Sequence, residues 1–125
     1  MLSFLRPSGP RVERISGKDA VAQAAQGGML LIDVRDAGEL RATGKAKGAL
    51  HIPMSVLALK ADPKAPDTDP TLKAAFEAGT PVALYCASGG RSQMGGKTLV
   101  KLGYAKVYNI GGLADWRDGG GALER

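Results

Sequence analysis

Apolar residues in this chain gather in four short runs: Met29-Leu30-Leu31-Ile32, Ala49-Leu50-His51-Ile52, Val82-Ala83-Leu84-Tyr85 and Val107-Tyr108-Asn109-Ile110. A strand with one wet face would alternate polar and apolar side chains; the all-apolar character of Met29 up to Asp33 predicts a strand covered on both faces, the condition of a parallel sheet. The segments between them carry helical signals. Ser16 caps a helix over Lys18 to Gln26, with Ala20, Val21, Ala24 and Ala25 on one face and Gly27-Gly28 as its stop. Shorter helices are predicted over Asp36 to Arg41 and Ser55 to Lys60, then over Thr71 to Ala78 with Gly79 behind it. A longer one runs from Ser92 to Leu102 before Gly103, and a last one covers Leu113 to Arg117 after Gly111-Gly112. Gly44 to Gly48 reads as a turn, and Ala61 to Pro70, with prolines at 63, 66 and 70, as a mobile loop.

Strands alternating with helices at this spacing predict an α/β fold: a single doubly wound domain whose central, mostly parallel sheet of about five strands has helices on both faces and right-handed crossovers. Residues 1 to 14 show no period and mix Pro7, Gly9 and Pro10 with three arginines, so they read as an N-terminal arm, with the domain over 15 to 125. A chain of 125 residues has room for one core.

Composition narrows the function classes. Hydrophobic residues make up 44% and charged residues 23%, as in an ordinary soluble globule, and no apolar run is long enough for a bilayer. The N-terminus lacks the charged start and sustained apolar stretch of a signal peptide, so a cytoplasmic location and no membrane partner are expected. One cysteine and one histidine cannot build a disulfide or a zinc site, and neither metal nor cofactor is expected. The net charge of +5 comes from lysines and arginines scattered among twelve acids, with few aromatic rings for base stacking. That pattern argues against nucleic acid and suits a small anionic substrate.

Cys86 stands where the Val82 run gives way to Ala87-Ser88-Gly89-Gly90-Arg91-Ser92, at the C-terminal end of a strand and just before a helix, where open α/β sheets place their functional crevice. Gly89 and Gly90 permit a tight loop whose amides point inward, forming an anion cradle with an exposed thiol at its floor. Those amides, the helix N-terminus and Arg91 would lower the thiol pKa and make Cys86 a nucleophile. The plainer alternative is a small buried hydrophobe; the glycine pair and the arginine favour the cradle.

Four segments together resemble the rhodanese family of sulfurtransferases: Leu31-Ile32-Asp33-Val34-Arg35 with Glu39, Gly48-Ala49-Leu50-His51-Ile52-Pro53, Tyr85-Cys86-Ala87-Ser88-Gly89-Gly90-Arg91-Ser92, and Gly103-Tyr104 leading to Gly111-Gly112-Leu113-Ala114-Asp115-Trp116. Lys45 stands where the family usually has a histidine. The resemblance implies a ping-pong transfer, in which Cys86 takes the outer sulfur of thiosulfate or a related small anionic donor as a persulfide and passes it to cyanide or a thiol. Ala87 to Ser92 would bind the substrate. Asp33 and Arg35 would support the loop, or else form a purely structural ion pair.

Two other functions compete. A sulfur-carrier or adaptor module would exchange the persulfide with a thiol-bearing protein and turn over little on small donors. A cysteine-dependent phosphatase would use a similar cradle, but such enzymes carry C-x5-R, whereas Cys86 to Arg91 is C-x4-R, a tighter ring. Three further features have simpler readings. Gly95-Gly96-Lys97-Thr98 misses a nucleotide P-loop by one residue and suits close helix packing, while His51 and Trp116 suit structural roles.

Overall fold

The computed structural model describes residues 11–125. Seven strands and six helices follow one another as β1 (Val12–Arg14), α1 (Gly17–Ala25), β2 (Leu30–Asp33), α2 (Ala37–Thr43), β3 (Lys45–Ala46), β4 (Leu50–His51), α3 (Met54–Ala61), α4 (Pro70–Ala78), β5 (Val82–Cys86), α5 (Gly90–Leu102), β6 (Val107–Gly112), α6 (Leu113–Asp118) and β7 (Leu123–Glu124). Five of the strands form one sheet in the order β1-β6-β5-β2-β4, every pairing parallel. β5 lies at its centre and is buried at all five residues, as its unbroken apolar run requires. Among the described residues no helix is long and apolar enough to cross a membrane.

Alternation along the strands divides the core into two layers. Ile32, Val34, Val82, Leu84 and Cys86 face one way, against Leu57 of α3, Leu72 of α4 and Leu99 of α5. Leu31, Ala83, Tyr85 and Ile110 face the other way, against Ala20 of α1 and Trp116 of α6. Helices therefore cover both sides of the sheet, and the strand ends of β5 and β6 open between α5 and α6.

Three expectations change. The arm was expected to run to residue 14, but Val12–Arg14 pairs in parallel with β6, Val12 opposite Val107; residues 1 to 10 of that arm lie outside the described residues. An edge strand needs little apolar surface, and here Val12 alone packs against the core while Glu13 and Arg14 are exposed, so no apolar run marks it. The turn at Gly44 to Gly48 contains β3, which pairs antiparallel with β7 at the other end of the chain. The loop over 61 to 70 is hydrogen-bonded rather than free: Thr68 Oγ1 donates to the Asp62 and Ala65 carbonyls, the Asp69 amide to the Lys60 carbonyl at 2.8 Å, and the Tyr104 hydroxyl to the Ala61 carbonyl at 2.7 Å.

Glycines mark the closest approaches. A Cβ on Gly95 would sit 2.9 Å from Leu57 Cδ2, and one on Gly96 2.8 Å from Val12 Cγ2, so α5 lies tight against both α3 and β1. At the contact of α1 with α6 a Cβ on Gly17 would fall 1.8 Å from the Asp115 carbonyl oxygen, a rigid main-chain atom. Alanine normally stabilises a helix over glycine by about 1 kcal/mol. Gly17→Ala is nevertheless expected to destabilise the fold by about 2 kcal/mol through overpacking, read as a lower urea midpoint at unchanged m. A variant as stable as the parent would mean that α1 can slide away from Asp115.

Candidate functional site

β5 delivers Cys86 to the C-terminal edge of the sheet, and Ala87 to Gly89 carry the chain into α5. The turn depends on Gly89, whose φ of 105° is open to glycine and strained for other residues. Its amide points back at the sulfur, with Gly89 N donating to Cys86 Sγ at 2.9 Å, and Ser92 Oγ lies 3.4 Å from the same sulfur. The loop thus closes over the thiol. Cys86 is only 1% exposed, against the expectation of an open sulfur, because Gly89 folds back over it and Ser92 in the first turn of α5 is itself buried.

Two opposed forces act on that sulfur. Burial is the strongest single influence and pushes the Cys86 pKa up; the Ser92 hydroxyl and the Ser92, Gly89 and Ser88 amides pull it down, and together they prevail, leaving it below the ordinary thiol value. A thiolate is therefore favoured by donors rather than by a neighbouring base. His51 is engaged elsewhere: its Nε2 donates to the Arg35 carbonyl at 2.6 Å.

Asn109, in sequence an ordinary strand residue, braces the loop. Its Oδ1 accepts from the Gly111 amide at 2.9 Å and lies 2.7 Å from Ser92 Oγ, whose single proton turns either to it or to Cys86 Sγ, while its Nδ2 donates to the Gly89 carbonyl and to Gln93 Oε1, both at 3.1 Å. A bulge permits this, because Leu84 is level with Asn109 but Tyr85 with Gly111, so Ile110 is an extra residue in β6. The only hint in sequence is an amide inside an otherwise apolar run. At the end of the same strand, a Cβ on Gly112 would lie 2.3 Å from the Ala87 carbonyl oxygen, so β6 passes directly beneath the loop.

Arg91 is not the free cation the sequence suggests. Its NH1 and NH2 clasp Glu39 Oε1 and Oε2 at 2.7 and 2.9 Å, and Glu39 Oε1 also accepts the Asp36 amide at the start of α2. The Arg91 guanidinium and then the Asp36 amide hold the Glu39 carboxyl down at about 2. Arg91 thus ties α2 to the loop. Asp33 and Arg35 lie in the sheet's other layer. Arg35 donates three side-chain bonds of 2.7 to 3.1 Å to Asp33, then reaches Thr43 Oγ1 at 2.8 Å and the Gly44 carbonyl at 2.7 Å, with its guanidinium carbon 5.7 Å from the Tyr85 ring centroid. No hydrogen bond joins this pair to Ala87 through Ser92; beyond Asp33, Arg35 contacts the end of α2 and the Tyr85 ring of β5.

Two outcomes follow from these contacts. Ser92→Ala is expected to raise the Cys86 pKa, read from the ultraviolet absorbance of the lone thiolate with Cys86→Ser as the blank; a midpoint at or below that of the parent would show that the hydroxyl contributes nothing. The Glu39 carboxyl is lowered from 4.5 to about 2 by folding, so its ion pair stabilises fully above 4.5 and progressively less as pH falls toward 2. Glu39→Gln should therefore lower Tm at neutral pH and converge with the parent in acid. A constant gap in Tm across that range would remove the pair from the acid response.

Comparison with known proteins agrees with this architecture. The rhodanese-like domain family matches residues 16–118. A thiosulfate sulfurtransferase GlpE from Tolumonas auensis is 32% identical over 105 residues, covering 83% of this chain and 87% of that protein. Among solved structures, a Rhodopseudomonas palustris protein of unknown function, RPA3614, described as a possible tyrosine phosphatase, superposes with a TM-score of 0.79 at 30% identity, over 90% of this chain and 85% of its own. The human single-domain sulfurtransferase TSTD1 superposes with a TM-score of 0.63 at 28% identity, over 86% and 96%. The family match runs from the N-cap of α1 to the last residue of α6, and the chain belongs to the rhodanese-like domain family.

Proposed function

We propose that the protein moves a sulfane sulfur from thiosulfate, or a related small anionic donor, through a persulfide on Cys86 to cyanide or a thiol. The observation that carries this is the Gly89 amide aimed at Cys86 Sγ at 2.9 Å, within a loop whose other donors converge on the same atom. The GlpE relative, itself a thiosulfate sulfurtransferase, supports the donor. In the first stage the Cys86 thiolate attacks the outer sulfur of thiosulfate. A bond forms between Sγ and that sulfur, the sulfur–sulfur bond of the donor breaks, and sulfite leaves with the electron pair. In the second stage an acceptor attacks the outer sulfur and the electron pair returns to Sγ.

Neither stage needs a general base near the thiol, and the loop amides that hold the thiolate are placed to stabilise it again as the leaving group. Burial of Cys86 admits a small donor more readily than a large one. Ala87, Ser88 and Gly90 are the loop residues open to solvent, so entry is over them. Asp33 and Arg35 act in this scheme as supports of the sheet edge and of α2, without touching the reacting atoms, and no cofactor enters.

The phosphatase description of the Rhodopseudomonas structure invites the rival chemistry. Arg91 argues against it. A phosphate dianion needs a guanidinium fork, and here both terminal nitrogens are already clasped by Glu39, so phosphate would have to displace a carboxylate.

Incubation with thiosulfate is expected to add the mass of one sulfur atom, removable by reductant, and Cys86→Ser should abolish both the mass gain and cyanide turnover while retaining the fold. Turnover surviving in Cys86→Ser would overturn the mechanism. A persulfide that forms but passes to neither cyanide nor small thiols would point instead to the carrier reading, with a thiol-bearing protein as acceptor.

A further inference from the structure

A cavity of about 330 Å³ opens beside the loop, between α2, α6 and β7. It is continuous with the site: Ala87, the residue after Cys86, lines it, as does Glu39, the partner of Arg91. Leu113, also in its wall, follows Gly112, which is level with Cys86 in the sheet. Its size is in the range of small-molecule sites, well beyond what cyanide fills. Leu113, Ala114 and Leu123 give it an apolar wall, and Leu123 leaves 39% of its surface exposed.

The charges around this cavity are not equivalent. Arg35 reaches it, but its side chain is spent on Asp33, Thr43 and Gly44. Glu39 is neutralised by Arg91. Arg117 differs: its one ion pair among the described residues runs from Nε to the neighbouring Asp118 at 3.4 Å, with both side chains mostly in solvent. Such a contact is worth little and leaves the terminal nitrogens available. The cavity thus combines apolar side chains, an available cation and an edge on the sulfur-bearing loop.

We infer that this cavity is the acceptor subsite and takes a small organic thiol with an apolar body and a carboxylate. The body lies along Leu113, Ala114 and Leu123, the carboxylate meets Arg117, and the thiol reaches the loop. This rests on the sulfurtransferase reading above. In the transfer, the acceptor thiolate attacks the outer sulfur of the protonated Cys86 persulfide and a new sulfur–sulfur bond forms. The bond from that sulfur to Sγ breaks, Cys86 departs as the thiolate, and the acceptor leaves as its own persulfide carrying the proton. No outside oxidant or reductant is required.

The test uses the full chain with 6-mercaptohexanoate, 2-mercaptoethanol and cyanide as acceptors and thiosulfate as donor. The parent is expected to favour 6-mercaptohexanoate over 2-mercaptoethanol in kcat/KM by about ten-fold, the effect of burying part of its methylene chain and pairing its carboxylate. Ala114→Trp, which fills the cavity from its exposed side, and Arg117→Glu, which reverses the charge, should each bring that ratio near one, with transfer to cyanide as the internal reference. Equal use of the two thiols by the parent, or a preference that survives Ala114→Trp, overturns the inference. Hexanoate, which has no sulfur, gives a readout independent of transfer: it should shift the amide signals of Ala87 and Leu113 in the parent and not in Ala114→Trp. Loading from thiosulfate without hexanoate binding overturns the subsite alone. Hexanoate binding without loading overturns the transfer reading, and the acceptor role with it.

Discussion

The contest at one sulfur atom organises this molecule. Burial alone would keep Cys86 a neutral thiol; the amides and the Ser92 hydroxyl, converging on Sγ, tip it toward the anion. Donors of this kind work only if they are already in place, since a flexible loop would have to be ordered at each encounter. Much of the surrounding structure can be read as the means of holding them: a fully buried central strand that fixes the sulfur, a glycine that turns the peptide, a bulged neighbouring strand and a helix that starts within the loop. The arrangement favours charge on sulfur without a proton acceptor nearby, which suits two successive attacks at sulfur better than chemistry that must deprotonate a hydroxyl or water.

The two layers of the sheet have separate tasks. On the α5 side, Cys86, Ser92 and Asn109 form a polar cluster set into an apolar layer. On the other side, Asp33 and Arg35 form a buried pair whose charges are matched to each other and whose remaining donors close the end of α2. Removing one partner of such a pair costs more than the pair contributes as a whole, because the survivor is left unmatched in the interior. α2 links the layers. Its end is bound by Arg35 and its start, through Glu39, by Arg91, so a short helix with no fully buried residue is placed from both ends.

Much of this was legible in the sequence. The runs at Leu30 and Val82 declared buried parallel strands because their apolar pattern is continuous, and Cys86 before two glycines marked the strand-to-helix loop. What escaped has physical reasons. β1, β3 and β7 are two or three residues long, lie at edges or outside the main sheet, and take their stability from pairing rather than from a side-chain pattern. Asn109 escaped because its partners lie across a strand and a loop, a proximity that no periodicity encodes. The pairing of Arg91 is illegible in the sequence, since the carboxylate that occupies it is brought by another helix. Burial of Cys86 escaped for a similar reason: the loop that closes over it is made of residues that look open when read in line.

The extra residue in β6 has a consequence for how this sequence can change. Ile110 offsets the strand by one position, so that Asn109 reaches the loop while Gly111 and Gly112 still lie level with Tyr85 and Cys86. Losing or gaining a single codon between 109 and 112 would leave composition and hydropathy almost untouched, yet it would swap the sides on which the following residues project and carry α6 round with them. Tolerance there should be to exchange of side chains, hardly at all to change of length. Drift in this family member is thus freer in the alphabet than in the spacing at that corner.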